Sequence, residues 1–254
     1  MLFESSNKVG VVYLTQILLI IGVPLLSYLI GSIPFGLIVV HLKTGKDIRQ
    51  IESGRTGGTN AMRAAGYPAG IVTGALDILK GACAVWLARW LVPGNAWLEV
   101  VAPILAILGH NYSIFLAEYD EKSGFRLRGG AGGAPAIGGV AGLWLPSIFI
   151  LVPTLLFILF GIGYASVATM SVGLIATIIF LYRYLAGFSP WQYVLYGVVS
   201  EIILMWALRP NIKRLFSGTE RVVGWRARRK KKKTAFAKPK PAPDHSSSST
   251  SSSS

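Results

Sequence analysis

The residues best suited to chemistry lie in Ser53-Gly54-Arg55-Thr56-Gly57-Gly58-Thr59-Asn60-Ala61-Met62-Arg63, where glycines, hydroxyls, an amide and two arginines sit between long apolar runs. Glycine lets backbone N–H groups turn towards an oxyanion. Ser53, Thr59 and Asn60 add hydrogen bonds, and the guanidinium forks of Arg55 and Arg63 match phosphate. The chemistry is recognition of an anion at a membrane surface; spacing alone leaves open a solvated basic loop that orients the chain. A second set follows Arg126 and Arg128. Gly129-Gly130-Ala131-Gly132-Gly133-Ala134-Pro135 precedes an apolar run, so exposed amides and a helix N-terminus form another anion cradle. It lacks the Gly-Lys-Ser/Thr ending of a nucleotide phosphate loop. Close helix packing in lipid is its other reading, for which Gly138, Gly139 and Gly142 are better placed. Asp77 and Lys80, three residues apart on one helical face, either pair with each other or point at a polar site. His110 suits a general base or, more simply, structural support at a helix end.

The elements that position these groups are set by composition. The chain has 254 residues, 52% hydrophobic and 14% charged, with mean hydropathy +0.54. These values exclude an ordinary soluble domain and point to an all-α integral membrane protein. The net charge of +14 gathers in three places, Lys43 to Arg63, Lys122 to Arg128 and Arg209 to Lys240. Cys83 is the single cysteine, which excludes an intrachain disulfide and thiol-pair redox chemistry.

Val11 to Leu42 reads as a first span, tilted or broken near Pro24 and Pro34. The basic loop that follows is cytoplasmic by the positive-inside rule, which puts the N-terminus outside. Further spans are expected at Tyr67 to Leu91, Trp97 to Leu116, Met170 to Ala186 and Trp191 to Leu208. The run from Pro135 to Gly163 is too long for one upright helix. Two short helices turning near Trp144-Leu145-Pro146 leave the basic C-terminus cytoplasmic, as its charge requires. About seven spanning helices result, and Ser166 comes to lie beside the two basic loops.

Arg209 to Glu220 reads as an ordered juxtamembrane segment that closes a membrane domain over residues 1–224. Residues 225–254, with Arg228-Arg229-Lys230-Lys231-Lys232-Lys233 and a serine tract, form a disordered tail. Its basic run attracts anionic lipid headgroups at about 1 kcal/mol per residue near the surface. No nucleic-acid reading module accompanies the charge, so no nucleic-acid partner is expected.

Taken together, Gly31-Ser32-Ile33-Pro34-Phe35-Gly36, Ser53-Gly54 with Gly57, Thr59-Asn60 and Arg63, Asp77-Lys80-Gly81, Gly109-His110, Gly129-Gly130 with Gly132, Ser166, and Asn211-Ile212-Lys213-Arg214-Leu215 with Gly218-Thr219-Glu220 carry a resemblance. Over residues 25–224 the chain resembles the bacterial acyl-phosphate:glycerol-3-phosphate acyltransferase family. The resemblance implies a seven-helix inner-membrane enzyme that moves an acyl chain from acyl phosphate to the first hydroxyl of glycerol 3-phosphate. Lysophosphatidic acid and phosphate would be the products. It implies catalytic roles for Ser53, Arg63, His110 and Asn211, with Arg55, Gly57, Thr59, Asn60, Arg128, Gly129, Gly130, Gly132, Ser166, Arg214 and Glu220 binding substrate. Acyl phosphate is already activated, so alignment and charge stabilisation suffice, and no metal or other cofactor is expected.

The departures are specific. Arg55, Thr56 and Gly58 replace asparagine, proline and alanine of the family's first loop, and Arg128 and Ala131 replace the two lysines of its second. Ser113 stands for a proline, and Leu208 for a histidine three residues before Asn211. Arg55 is expected to restore the positive charge lost at Ala131. The competing reading is a catalytically silent relative that binds phospholipid headgroups, or a small anion transporter.

Overall fold

The computed structural model describes residues 2–121 and 124–223, with side chains from Tyr13 onward; the tail from residue 225 lies outside the described residues. Helix α1 (Leu2–Ser32) runs unbroken through Pro24, and the break falls at Ile33-Pro34, before α2 (Phe35–Thr44). A helix end leaves carbonyls without intrahelical donors. Here Ser32 O accepts from Ser113 Oγ, and Ile33 O accepts from Lys80 Nζ at 3.0 Å. The break is therefore held from two other parts of the chain. A short helix, α3 (Gly58–Ala65), leads through Gly66 into α4 (Tyr67–Leu91), which coincides with the second expected span.

The third expected span is corrected. Helix α5 (Ala96–Asn111) stops short of Leu116, and strand β1 (Ser113–Asp120) pairs antiparallel with β2 (Gly124–Arg128). Ile114, Phe115 and Leu116 prolong the hydropathy of α5, yet β-branched and aromatic side chains suit a strand equally well, so hydropathy could not separate the two. The mainly helical protein thus carries one hairpin. Glu118 takes ion pairs from Arg128 (2.8 Å) within the hairpin and from Arg49 (2.6 Å), which clamps the hairpin to the first loop.

Helix α6 (Gly133–Leu143) ends at Trp144, and α7 (Ile148–Phe157) continues into a single π turn (Ile158–Ile162), so the run from Pro135 to Gly163 is two helical segments. Helix α8 (Ala165–Leu185) starts ahead of the expected Met170, which puts Ser166 in its first turn. Helices α9 (Gln192–Ala207) and α10 (Arg209–Phe216) complete the described chain. Among the described residues, Tyr13–Thr44, α4, Leu145–Ile162 and α8 are long and apolar enough to cross a membrane. The α9–α10 pair, bent by 68°, is a fifth if counted as one span, while α5 and α6 are shorter apolar helices.

Helix α4 packs on α6, α8 on α9 and α1 on α5. Small residues set the spacing: a Cβ on Gly138 would fall 1.8 Å from Ile78 O, and one on Gly81 2.1 Å from Pro135 O. Val85, Ile107, Val140, Phe180 and Tyr196 form the main core, while Leu25, Trp90, Phe149 and Leu185 remain exposed on the outside, as lipid contact demands. At one end Arg89 joins four helices. Its guanidinium donates to Glu99 Oε2 (2.8 Å), Gly142 O (2.8 Å), Leu143 O (3.0 Å) and Tyr193 Oη (3.0 Å).

Candidate active site

At the opposite end of α4, the loops after α2, before α6, before α8 and after α9 converge on a cavity of about 740 Å³. The first loop supplies Ser53, Arg55, Gly57, Thr59, Asn60 and Arg63 to its wall. Gly57 is the N-cap of α3 and makes no side-chain cap, so Ser53 and Thr59 do not cap that helix; both are exposed on the wall. Asn60 is buried and its Nδ2 donates to Ile48 O, Ile51 O and Arg55 O at 2.9 to 3.3 Å. It staples three carbonyls of the loop together.

Four arginines face the cavity, and they differ in pairing. Arg214 Nε lies 3.0 Å from Glu220 Oε2, and Arg221 pairs with Glu52. Arg55 and Arg63 have no carboxylate partner among the described residues. Arg55 donates from Nη2 to Ala207 O at 2.7 Å, which anchors the guanidinium beside Leu208. Burial, and then the neighbouring Arg214, hold the Arg55 pKa below the ordinary arginine value; burial, and then Arg221, do the same to Arg63. Guanidiniums disfavoured by desolvation and by the neighbouring Arg214 and Arg221 would gain from a bound anion.

Glu220 is the hub of the far wall. Its Oε1 accepts from Ser166 Oγ (3.1 Å) and Asn211 Nδ2 (2.9 Å), so α8, α10 and the segment after α10 share one carboxylate. The remaining lining includes Tyr67, Ile71, Leu156 and Leu159, an apolar flank on the membrane-spanning helices. Sequence reasoning passed over Glu52 and Arg221, whose charges are brought to the cavity by an ion pair 169 residues apart in sequence. The high charge density of the segment after α10 was the only sign of it.

The second expected cradle is built differently. Arg128 pairs with Glu118 and is not on the cavity wall, and neither are Gly129 and Gly130. A Cβ on Gly130 would stand 1.9 Å from His110 Nε2, and one on Gly129 2.1 Å from His110 O. These glycines are small because α5 lies against them. Gly132, at φ +86°, makes the left-handed turn into α6 and does reach the wall with Ala131 and Gly133. His110 is buried. Lys80 Nζ lies 2.8 Å from its Nδ1 and 2.9 Å from Asp77 Oδ1. An ammonium only donates, so the network assigns Nδ1 as acceptor and the ring proton to Nε2. His110 is thereby held as structural support, and Asp77 and Lys80 form the mutual pair while Asp77 also lines the cavity. Among the described residues no group of three acidic, histidine or cysteine side chains is placed to hold a metal.

An anion cavity with an apolar flank, at one end of a multi-pass helical membrane protein, defines a protein that works on amphiphilic anions. The comparisons make this specific: residues 21–218 match the glycerol-3-phosphate acyltransferase family, and the chain belongs to it. It is 36% identical over 220 residues to a glycerol-3-phosphate acyltransferase 3 of Dehalococcoides mccartyi, covering 81% of this chain and 96% of that protein. It is also 36% identical over 217 residues to a glycerol-3-phosphate acyltransferase of Thermus thermophilus, covering 80% and 94%. The crystal structure of PlsY, an integral membrane glycerol 3-phosphate acyltransferase, in its glycerol 3-phosphate form superposes with a TM-score of 0.69 at 29% identity, covering 80% of this chain and 95% of PlsY. Its lysophosphatidic acid form gives 0.67 at 28% identity.

Proposed function

We infer that this protein transfers an acyl chain from acyl phosphate to the sn-1 hydroxyl of glycerol 3-phosphate, releasing lysophosphatidic acid and phosphate. One observation carries the reading: Arg55 and Arg63, without carboxylate partners among the described residues, face one cavity whose other flank is apolar. Both substrates bear phosphate and one bears a lipid tail, so cations and apolar helix surface belong in one site. Bound there, the substrates need alignment and stabilisation of developing negative charge, which arginine and the loop amides provide. Ser53 and Thr59 contact substrate, Asn60, Gly57, Gly129, Gly130 and Gly132 shape the loops, and Ser166, Asn211 and Glu220 hold Arg214 in place. Arg55 supplies charge that Ala131 lacks. His110 keeps its support role, and the departing phosphate accepts the hydroxyl proton.

The same reading places the protein in the bacterial inner membrane, with seven spans, the N-terminus outside and the cavity cytoplasmic. Its support is the relation between ends. Arg89, far along α4 from the cavity, binds the last carbonyls of α6, while Gly133 and Ala134 at the start of α6 line the cavity. Helix α6 therefore runs away from the cavity, and Leu156 and Leu159 show the following segment returning to it. Residues 1–224 make the membrane domain, and the basic run beyond meets anionic headgroups. The test is phosphate release from palmitoyl phosphate by purified protein, with and without glycerol 3-phosphate, beside Arg63→Ala. Release that depends on glycerol 3-phosphate and is lost in the variant supports the assignment; release indifferent to the acceptor overturns it.

A further inference from the structure

Asp77 is fully buried on the cavity wall, and neither of its carboxylate oxygens has a hydrogen-bond partner among the described residues. The donor count explains why the protein cannot satisfy it. Lys80 Nζ donates to Ile33 O at 3.0 Å and to His110 Nδ1 at 2.8 Å, and it meets Asp77 only as an ion pair, 2.9 Å from Oδ1. His110 accepts at Nδ1 and so has no proton there for Asp77, 3.5 Å away. A carboxylate needs only one oxygen for its ion pair, and an orphaned buried acceptor is costly enough to require an account. The other cavity-lining orphans, Asn60 Oδ1 and Asn211 Oδ1, are acceptors too, because both Nδ2 groups are engaged. Arginines that donate thus share the cavity with acceptors that want donors, and a ligand with phosphate at one end and hydroxyls at the other satisfies both.

We propose that Asp77 accepts a hydrogen bond from the non-reacting hydroxyl of the acceptor and so selects a diol phosphate over a mono-alcohol phosphate. This rests on the acyltransferase reading above. The reacting hydroxyl gives its proton to the departing phosphate in that reading, which leaves the other hydroxyl as the donor that Asp77 lacks. Asp77 is a specificity residue, and no bond to it forms or breaks.

The experiment compares kcat/KM with palmitoyl phosphate as donor for glycerol 3-phosphate and for 3-hydroxypropyl phosphate, which lacks only the secondary hydroxyl. The intact protein should favour glycerol 3-phosphate by roughly 10- to 100-fold, as sites built to bond a hydroxyl do. In Asp77→Leu/Lys80→Met, which removes the acceptor and both charges of the pair together, that ratio should fall to within about threefold of unity. A ratio near unity in the unmodified protein, or one preserved in the double variant, overturns the proposal. Should the double variant not fold, 2-fluoro-3-hydroxypropyl phosphate decides with unmodified protein. Fluorine cannot donate, so this analogue should be rejected like the deoxy compound, and acceptance at the glycerol 3-phosphate rate overturns the proposal. Phosphate release with neither acceptor would instead overturn the acyltransferase reading itself.

Discussion

The two ends of the helix bundle both carry buried or half-buried charge, and they use it in opposite ways. In the Arg89 cluster the central groups are answered: the guanidinium has a carboxylate, a phenol and two helix-end carbonyls, and Tyr193 Oη also donates to Glu99. At the cavity end, among the described residues, Arg55 and Arg63 lack a carboxylate and both Asp77 oxygens lack a hydrogen-bond donor. A saturated cluster ties helices together; an unsaturated one leaves free energy for a ligand. Identical residue types therefore do structural work at one end and recognition at the other, and the count of partners tells them apart.

That contrast is broken most severely by Arg63→Ala. Acceptor-dependent phosphate release should fall by at least about 100-fold while the melting temperature in detergent holds, since no ion pair is lost. Next, Arg55→Ala should lower kcat/KM by roughly 10- to 100-fold, and Arg55→Lys should recover only part, because a point charge cannot both keep Ala207 O and fork onto phosphate. Undiminished activity in Arg55→Ala would remove this side chain from the site. Arg89→Met should reverse the pattern: thermal stability drops by about 2 kcal/mol, discounted because Arg89 is partly exposed, while kcat/KM of the folded fraction changes less than about threefold. The smallest effect is expected of Arg128→Ala. It loses a surface pair with Glu118 worth at most about 1 kcal/mol, and steady-state kinetics should shift by less than about twofold.

Asp77 and Lys80 show how a pattern can be half legible. Three-residue spacing is enough to announce a buried pair on one helical face, and the structure contains it at 2.9 Å. That His110 Nδ1 and Ile33 O take hydrogen bonds from Lys80 depends on helices α5 and α1 meeting α4. Glycine behaves likewise. Gly138 was legible as a packing residue, whereas Gly129 and Gly130 have the composition of an anion loop and are small because His110 lies on them.

What the sequence by itself determined is the local grammar: where apolar runs end, that α4 spans Tyr67–Leu91, that Trp144 breaks the following run, and that the first loop is an arginine-bearing glycine loop. Hydropathy and turn chemistry are properties of neighbours along the chain. The tertiary structure alone decided which arginines were paired, because Glu52 meets Arg221, Glu118 meets Arg49 and Arg55 meets Ala207 across long separations. It also decided that Ser113–Asp120 leaves the helix for a strand, since the partner strand and Arg49, which pairs with Glu118, lie outside that segment. An ionic group is structural or functional according to what surrounds it in three dimensions, and no one-dimensional pattern records that.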